Sequence, residues 1–302
     1  MKILVVGGTG ALGGYAAIHL AGKGHEVTVG ARNPANPGTA MARMPFLKGD
    51  FVAGDFTAER LQGFDWVLFA AGNDPRHVPP EADFAKFLLR ANHEAVPAFF
   101  AACREAGVKR AVQLGSYYHQ AAPHLLESNS YIRSRKAACE GARGEGRSGF
   151  DVVSVNAPFM VGTVAGLPSE IFAPYVQWAQ GLIPIPAYAP PGGTNFMSFR
   201  SLSEAIEGAL ERGEPGKAYL VGDQDMSFRD YFQLFFDAAG SGMTVEERDE
   251  ELPLLPDIAI PQGRGNWVRV SPDPAETALL GYRRDDVAAA VAEIVAQFSA
   301  NR

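Results

Sequence analysis

Cysteine is almost absent: of 302 residues only Cys103 and Cys139 carry a thiol, both in segments with helical character. Two thiols build neither a disulfide framework nor a Cys-rich metal site, and their scarcity fits a reducing cytoplasm. The six histidines, at 19, 25, 77, 93, 119 and 124, form no H-x-x-x-H pair and join no Cys or acidic cluster at ligand spacing, so no metal is expected. Basic charge is in deficit, 27 Lys and Arg against 34 Asp and Glu for a formal charge of −7. That balance disfavours non-specific binding to nucleic acid or to an anionic membrane. No block of like charge, low-complexity tract or internal repeat occurs. Long hydrophobic runs are missing too. The first apolar stretch is cut short by glycines and lacks a small-residue cleavage site, and no later one approaches a membrane span, so neither export nor insertion is expected. What remains, 47% hydrophobic and 20% charged residues, is the composition of a soluble globular protein.

The most informative stretch is the first, MKILVVGGTGALGG. Ile3 to Val6 is β-branched and apolar enough for a buried parallel strand. It breaks into a glycine turn in which Gly7, Gly10 and Gly13 recur every third residue, and the turn opens a helix carrying Tyr15, Ile18, His19 and Leu20. Strand, glycine triplet and helix within one βαβ-sized unit form a dinucleotide-binding fingerprint. Gly7 permits the tight turn, Gly10 lets backbone approach a pyrophosphate, and Gly13 lets helix and strand pack closely. Free amides at the helix start then face the phosphate charge.

Further strands are predicted at 24–30 (with its turn), 51–54, 64–72, 108–114 and 150–155, and helices at 84–106 and 131–143. Their alternation implies an α/β fold, a doubly wound parallel sheet of Rossmann type, with the active crevice beyond the carboxyl ends of the strands. From Pro158 the texture changes. Residues 158–195 are rich in Pro, Gly and aromatics, contain no Lys, Arg or His, and read as a lid or pocket wall, with core packing for the aromatics an even alternative. Helix returns at 201–212, strand at 218–221 and an aromatic-rich helix at 228–239. We therefore expect a dinucleotide-binding domain over 1–157 and a smaller, interleaved substrate-binding region over 158–302, with segments around 196–222 returning to the Rossmann core.

The chain resembles the extended short-chain dehydrogenase/reductase family, which includes NAD(P)-dependent epimerases, dehydratases and dihydroflavonol-type reductases. The likeness spans nearly the whole chain. It is carried by Gly7-Gly8-Thr9-Gly10-Ala11-Leu12-Gly13, the Gly54-Asp55 step, Ala70-Ala71-Gly72, Asn92, Ala106-Gly107-Val108-Lys109-Arg110 before a strand ending near Ser116, Tyr131, Ala157-Pro158, and Gly216-Lys217-Ala218-Tyr219 with Val221-Gly222. The resemblance implies cofactor contacts from Gly7, Thr9, Gly10, Ala11, Leu12, Gly13, Ala70, Ala71, Gly72 and Asn92. It also places Asp55 and Phe56 beside an adenine and Pro158 beside a nicotinamide. Members of the family move a proton with a Ser or Thr, a Tyr, and a Lys four residues after the Tyr.

Here the pattern departs. Tyr131-Ile132-Arg133-Ser134-Arg135-Lys136 places Arg135, not Lys136, four residues after Tyr131. On a helix, i and i+4 share a face, so a cation there lowers the tyrosine's pKa and reaches the nicotinamide ribose. Lys136 lies a further ~100° round the helix. Either Arg135 takes the role, or a one-residue helical bulge brings Lys136 onto the face, or catalytic power is reduced or lost. Ser116, just past its strand, is placed to orient a carbonyl oxygen toward Tyr131. Tyr117 and Tyr118 lack a cation one turn on and read as pocket wall.

NAD selection normally uses an acidic residue at the end of the second strand, where this chain has Gly30-Ala31-Arg32-Asn33. With no carboxylate to repel a 2′-phosphate and Arg32 available to pair with it, NADP is expected over NAD. For the substrate, the basic-poor segment 158–195 argues for a hydrophobic or aromatic ketone or aldehyde, reduced with Tyr131 as proton donor. Arg200, Arg229, Arg264 and Arg269 keep open a nucleotide-sugar epimerase or dehydratase, and the displaced lysine keeps open a non-catalytic NADP sensor. The resemblance also implies a homodimer through helices 84–106 and 131–143, as relatives often form; their apolar faces permit that or simply cover the sheet.

Overall fold

The computed structural model describes residues 1–72 and 82–299. The chain opens with β1 (Lys2–Val6), α1 (Ala11–Gly22), β2 (Glu26–Ala31), β3 (Phe46–Lys48), α2 (Ala58–Leu61) and β4 (Trp66–Phe69). There follow α3 (Phe84–Leu88), a π-helical turn at Leu89–Glu94, α4 (Ala95–Glu105), β5 (Arg110–Ser116), α5 (Tyr118–Ala121), α6 (Ser130–Gly144) and β6 (Asp151–Ala157). The remainder carries β7 (Phe159–Val161), α7 (Phe172–Ala179), β8 (Tyr188–Ala189), β9 (Gly193–Ser198), α8 (Phe199–Arg212), β10 (Ala218–Leu220), β11 (Gln224–Ser227) and α9 (Phe228–Ala238). It ends with β12 (Glu246–Glu247), β13 (Trp267–Val268), α10 (Pro274–Leu280) and α11 (Val287–Ser299).

Seven strands form one sheet in the order β10-β6-β5-β4-β1-β2-β3, every pair parallel. The order reverses between β1 and β4, so the crevice lies above Val6 and Phe69, where the glycine turn begins. Alternate residues of β1 serve opposite faces. Ile3 and Val5 pack with Ala16, Ala17 and Leu20 of α1 and Leu202, Ala205 and Ile206 of α8. Leu4 and Val6 pack with Val96, Phe99 and Phe100 of α4 and Ala138 and Ala142 of α6. Helices on both faces explain why the central strands are apolar runs rather than alternating ones. This is the doubly wound parallel sheet expected from the sequence.

Three local differences have physical causes. The third strand is Phe46–Lys48, not 51–54: it is an edge strand with exposed Phe46 and Lys48, so no apolar run marks it, and Phe51–Gly54 is a turn closed by Gly54 N–H to Phe51 C=O at 3.2 Å. The helix expected over 84–106 is three pieces. Pro97 cannot donate an amide and so sits in the first turn of α4, while the residues before it take the π turn. The aromatic stretch from 158 onward is not an open wall. Phe172, Tyr175, Trp178 and Phe196 pack with Phe228, Tyr231, Phe232, Phe235 and Phe236 of α9 and with Val291 and Ile294 of α11 as a closed second core. Tyr175 and Trp178 meet Phe232 edge-on at 5.1 and 5.4 Å. No helix among the described residues is long and apolar enough to cross a membrane.

Candidate active site

The glycine turn is built by contact. Gly7 has φ +83°, and a Cβ there would stand 2.8 Å from the Ala71 amide nitrogen; a Cβ on Gly13 would stand 2.8 Å from the Gly7 carbonyl carbon. Gly10 differs: its Cβ would meet nothing nearer than the Gly7 carbonyl oxygen at 3.5 Å, an ordinary contact. The protein thus requires Gly7 and Gly13 for its own packing, whereas the space beside Gly10 is open among the described residues. Helix α1 begins there with no side-chain cap and no acidic residue in its first turn. The Gly10 amide donates to the Gly7 carbonyl at 3.1 Å, while among the described residues Thr9, Ala11 and Leu12 present amides without a backbone partner beside the positive end of a helix dipole, the environment a pyrophosphate needs.

Around this turn the structure sorts the remaining expected residues. Arg32 follows β2, is exposed, and pairs with no carboxylate among the described residues. Asp55 is exposed and accepts the Asp50 amide at 2.9 Å, which holds the turn after β3. Phe56 is 3% exposed and its ring packs edge-on against Phe99 in the core, which leaves its backbone as the part that could stand beside an adenine. Ala70 and Ala71 lie against Gly7. Asn92 is turned inward by the π turn, and its amide donates to Ser134 Oγ at 3.1 Å, while Ser134 Oγ donates to the Tyr131 carbonyl at 2.8 Å. Pro158 is buried at the junction of β6 and β7.

Asn129 caps α6 by accepting the Ile132 amide, and the helix runs from Ser130 to Gly144 as unbroken α-helix, without the one-residue bulge weighed above. The two candidate cations part accordingly. Lys136 points to Glu140, 3.4 Å away and one turn on, with 43% of its side chain exposed. Arg135 shares the Tyr131 face, is 7% exposed, and donates from Nη2 to the Leu114 carbonyl at 3.0 Å, while its Nε is buried without a partner. No carboxylate pairs with it among the described residues. Strand β5 outruns its last pairing with β4 at Phe69 and Gln113, and so the Leu114 carbonyl takes Arg135 and the Gln113 amide instead. Ser116 ends the same strand, 8% exposed.

Beyond Ser116 the side chains are committed to structure. Tyr117 shares a hydrogen with Thr194 at 2.5 Å, Tyr118 donates to Gln262 at 3.4 Å, and the two rings lie 4.3 Å apart. Burial pushes Tyr117 up to about 12 and raises Tyr118 as well, so neither is poised to give up a proton near neutrality. Burial likewise lowers His119 to about 4 and keeps it neutral. Among the described residues no group of three His, Cys, Asp or Glu could hold a metal. His77 lies outside them.

The NAD dependent epimerase/dehydratase family model matches residues 3–163, from β1 through β7. The chain belongs to this family. No curated protein matches it. Among solved structures, gox2253 superposes with a TM-score of 0.77 at 21% identity over 99% of this chain and 98% of its own. UDP-N-acetylglucosamine 4-epimerase from Bacillus cereus superposes at 0.73, 16% identical over 98% and 96%. DesIV, a dTDP-glucose 4,6-dehydratase from Streptomyces venezuelae solved with NAD and TYD, superposes at 0.73, 21% identical over 100% and 98%. At these identities the likeness shows the fold alone, a doubly wound parallel sheet of Rossmann type.

Proposed function

We propose that this family member is an NAD(P)-dependent oxidoreductase acting at a secondary alcohol or ketone carbon of a nucleotide-linked sugar, oxidising and re-reducing it within one turnover. The observation that carries the acid–base assignment is the buried, carboxylate-free guanidinium of Arg135 one helical turn beneath Tyr131. A desolvated positive charge there favours the phenolate, so Tyr131 can take the proton from a substrate hydroxyl and return it to a carbonyl oxygen. Ser116, at the strand end, holds that oxygen by hydrogen bonding. When bound, the nicotinamide supplies the hydride acceptor and donor. Its dinucleotide is held by the amides of Thr9, Ala11 and Leu12, the space beside Gly10 and the exposed Arg32.

Two features support this substrate reading over a free hydrophobic carbonyl compound. The aromatic side chains that suggested an apolar pocket are spent on the second core. Arg269 lies over the Trp267 ring at 4.2 Å with no acidic partner among the described residues, a cation free for a phosphate. Dehydration fits less well than epimerisation. Elimination needs a second acid–base group beside Ser116, where the chain has Tyr117 and Tyr118, both engaged and raised. One observation favours net reduction of a free ketone or aldehyde instead: Arg200, Arg229 and Arg264 already pair with Glu293, Asp230 and Asp257, leaving few cations for a diphosphate.

The deciding experiment incubates purified protein with UDP- and dTDP-sugars and, separately, with ketones and aldehydes plus NADPH or NADH. Internal redox predicts sugar interconversion with cofactor retained and no net change in nicotinamide absorbance. Stoichiometric NADPH loss with a free ketone transfers the assignment to a reductase, and binding of cofactor with neither reaction transfers it to a sensor. For the cofactor we propose NADP. Arg32→Ala is expected to weaken NADP by about tenfold or more, the loss of one charge-assisted pair, and NAD by far less. Equal losses, measured by fluorescence titration, would remove Arg32 from the 2′-phosphate.

A further inference from the structure

Gly72 ends the Ala70-Ala71-Gly72 run, whose small residues suggest room for an approaching ligand. What occupies that room is the Arg135 guanidinium. A Cβ on Gly72 would overlap Nη1 and stand 3.1 Å from Cζ and 3.2 Å from Nη2, so the flat fork lies directly on the Gly72 backbone. Gly72 does not have the positive φ that forces glycine elsewhere in this chain, and among the described residues the three atoms nearest its missing Cβ all belong to the Arg135 guanidinium. Among the described residues, the neighbour a side chain there would strike first is the residue standing where the family carries lysine.

We propose that Gly72 is a positioning residue that lets an arginine serve as the cation for Tyr131, with the Leu114 carbonyl as the second fixed point. This rests on the reading of Tyr131 as the acid–base group. Two constraints locate the fork: contact with Gly72 from Nη1 and the 3.0 Å bond from Nη2 to Leu114 O. An arginine is wider than a lysine and keeps its charge at every working pH, so a seat is what it needs to act as a fixed cation. A side chain at 72 lifts the fork from that seat, whereas a lysine at 135, a single ammonium on a thin stem, does not need the space.

The test is a four-corner cycle of wild type, Gly72→Ala, Arg135→Lys and the double variant, each as the full chain. The first readout is the ionisation of Tyr131 itself, followed by ring-carbon NMR of isotope-labelled tyrosine, with the signal assigned by its loss in Tyr131→Phe. The second is the pH profile of kcat. Gly72→Ala is expected to raise the Tyr131 ionisation by about one pH unit in the arginine background, the displacement of a nearby cation. In the lysine background it should have little effect. Equal shifts in both backgrounds, or none in either, overturn the proposal. Because the NMR titration needs no substrate, it reports on Gly72 even if no turnover is found, and a silent kcat profile then counts against the function alone. Should Gly72→Ala fold poorly, the double variant decides by its thermal midpoint: recovery supports the seat, and an equally unstable double variant overturns it.

Discussion

Tyr131→Phe is expected to lower turnover by about a hundredfold to ten-thousandfold, the usual contribution of a positioned proton-transfer group, while cofactor affinity stays within about twofold of wild type. The ring remains, so packing is kept. The hydroxyl alone is lost, and the neighbouring phenols do not replace it. Tyr117 and Tyr118 are bound to Thr194 and Gln262, and burial disfavours their anions. The measurement is single-turnover rate with a saturating substrate identified as above, beside cofactor titration by fluorescence. The kinetic pattern separates roles. Loss in kcat and kcat/KM together marks an interaction made in the transition state, whereas a rise in KM alone would reduce Tyr131 to a substrate contact. A variant retaining more than a tenth of wild-type turnover would remove Tyr131 from the chemistry.

What the sequence makes legible here is local. The strand, glycine turn and uncapped helix at 2–22 follow from periodicity and from glycine's freedom, both written within that one short stretch. The shared face of Tyr131 and Arg135 follows from helical spacing alone. What long-range contact decides is not legible in that way. Nothing near Gly72 in the chain announces that a guanidinium 63 positions on will rest on it. The aromatic stretch from 158 reads equally as pocket or core until α9 and α11 are seen to cover it. Some signals were present and simple: Asp273-Pro274 before a helix and Gly281 after it frame α10, with Asp273 capping the amides of Ala275 and Glu276 and Gly281 in the left-handed conformation. The buried Asp223 carboxylate is a different matter. It accepts the amides of Asp285 and Asp286 and an Arg284 guanidinium NH, fixing the turn into α11, but a lone aspartate in a loop carries no mark of that task.

The glycine turn separates two roles that its sequence motif runs together. Gly13→Ala is expected to destabilise the fold by about 1–3 kcal/mol, the cost of overpacking a site with no slack, because the new methyl meets the Gly7 carbonyl and the neighbouring Gly8 amide. These are backbone atoms held by the Gly7 amide on the Gly30 carbonyl at 2.7 Å and the Gly8 amide on the Val5 carbonyl at 3.1 Å, and they cannot move aside as a side-chain tip could. Cofactor affinity should fall with stability, since the same shift disturbs the amides of 9–12. Gly10→Ala should behave otherwise. Gly10 has φ −89° and ψ −179°, extended backbone open to alanine, and its methyl would meet only ordinary contact at 3.5 Å. Its thermal midpoint is expected to match wild type, while dinucleotide affinity drops tenfold or more, about 1.4 kcal/mol, because the methyl stands where a pyrophosphate must lie against the backbone. Thermal melts with and without NADP measure both at once. If Gly10→Ala keeps the ligand-induced rise in midpoint, the space beside Gly10 is not the phosphate site, and the dinucleotide would have to enter the crevice by contacts other than the α1 amides.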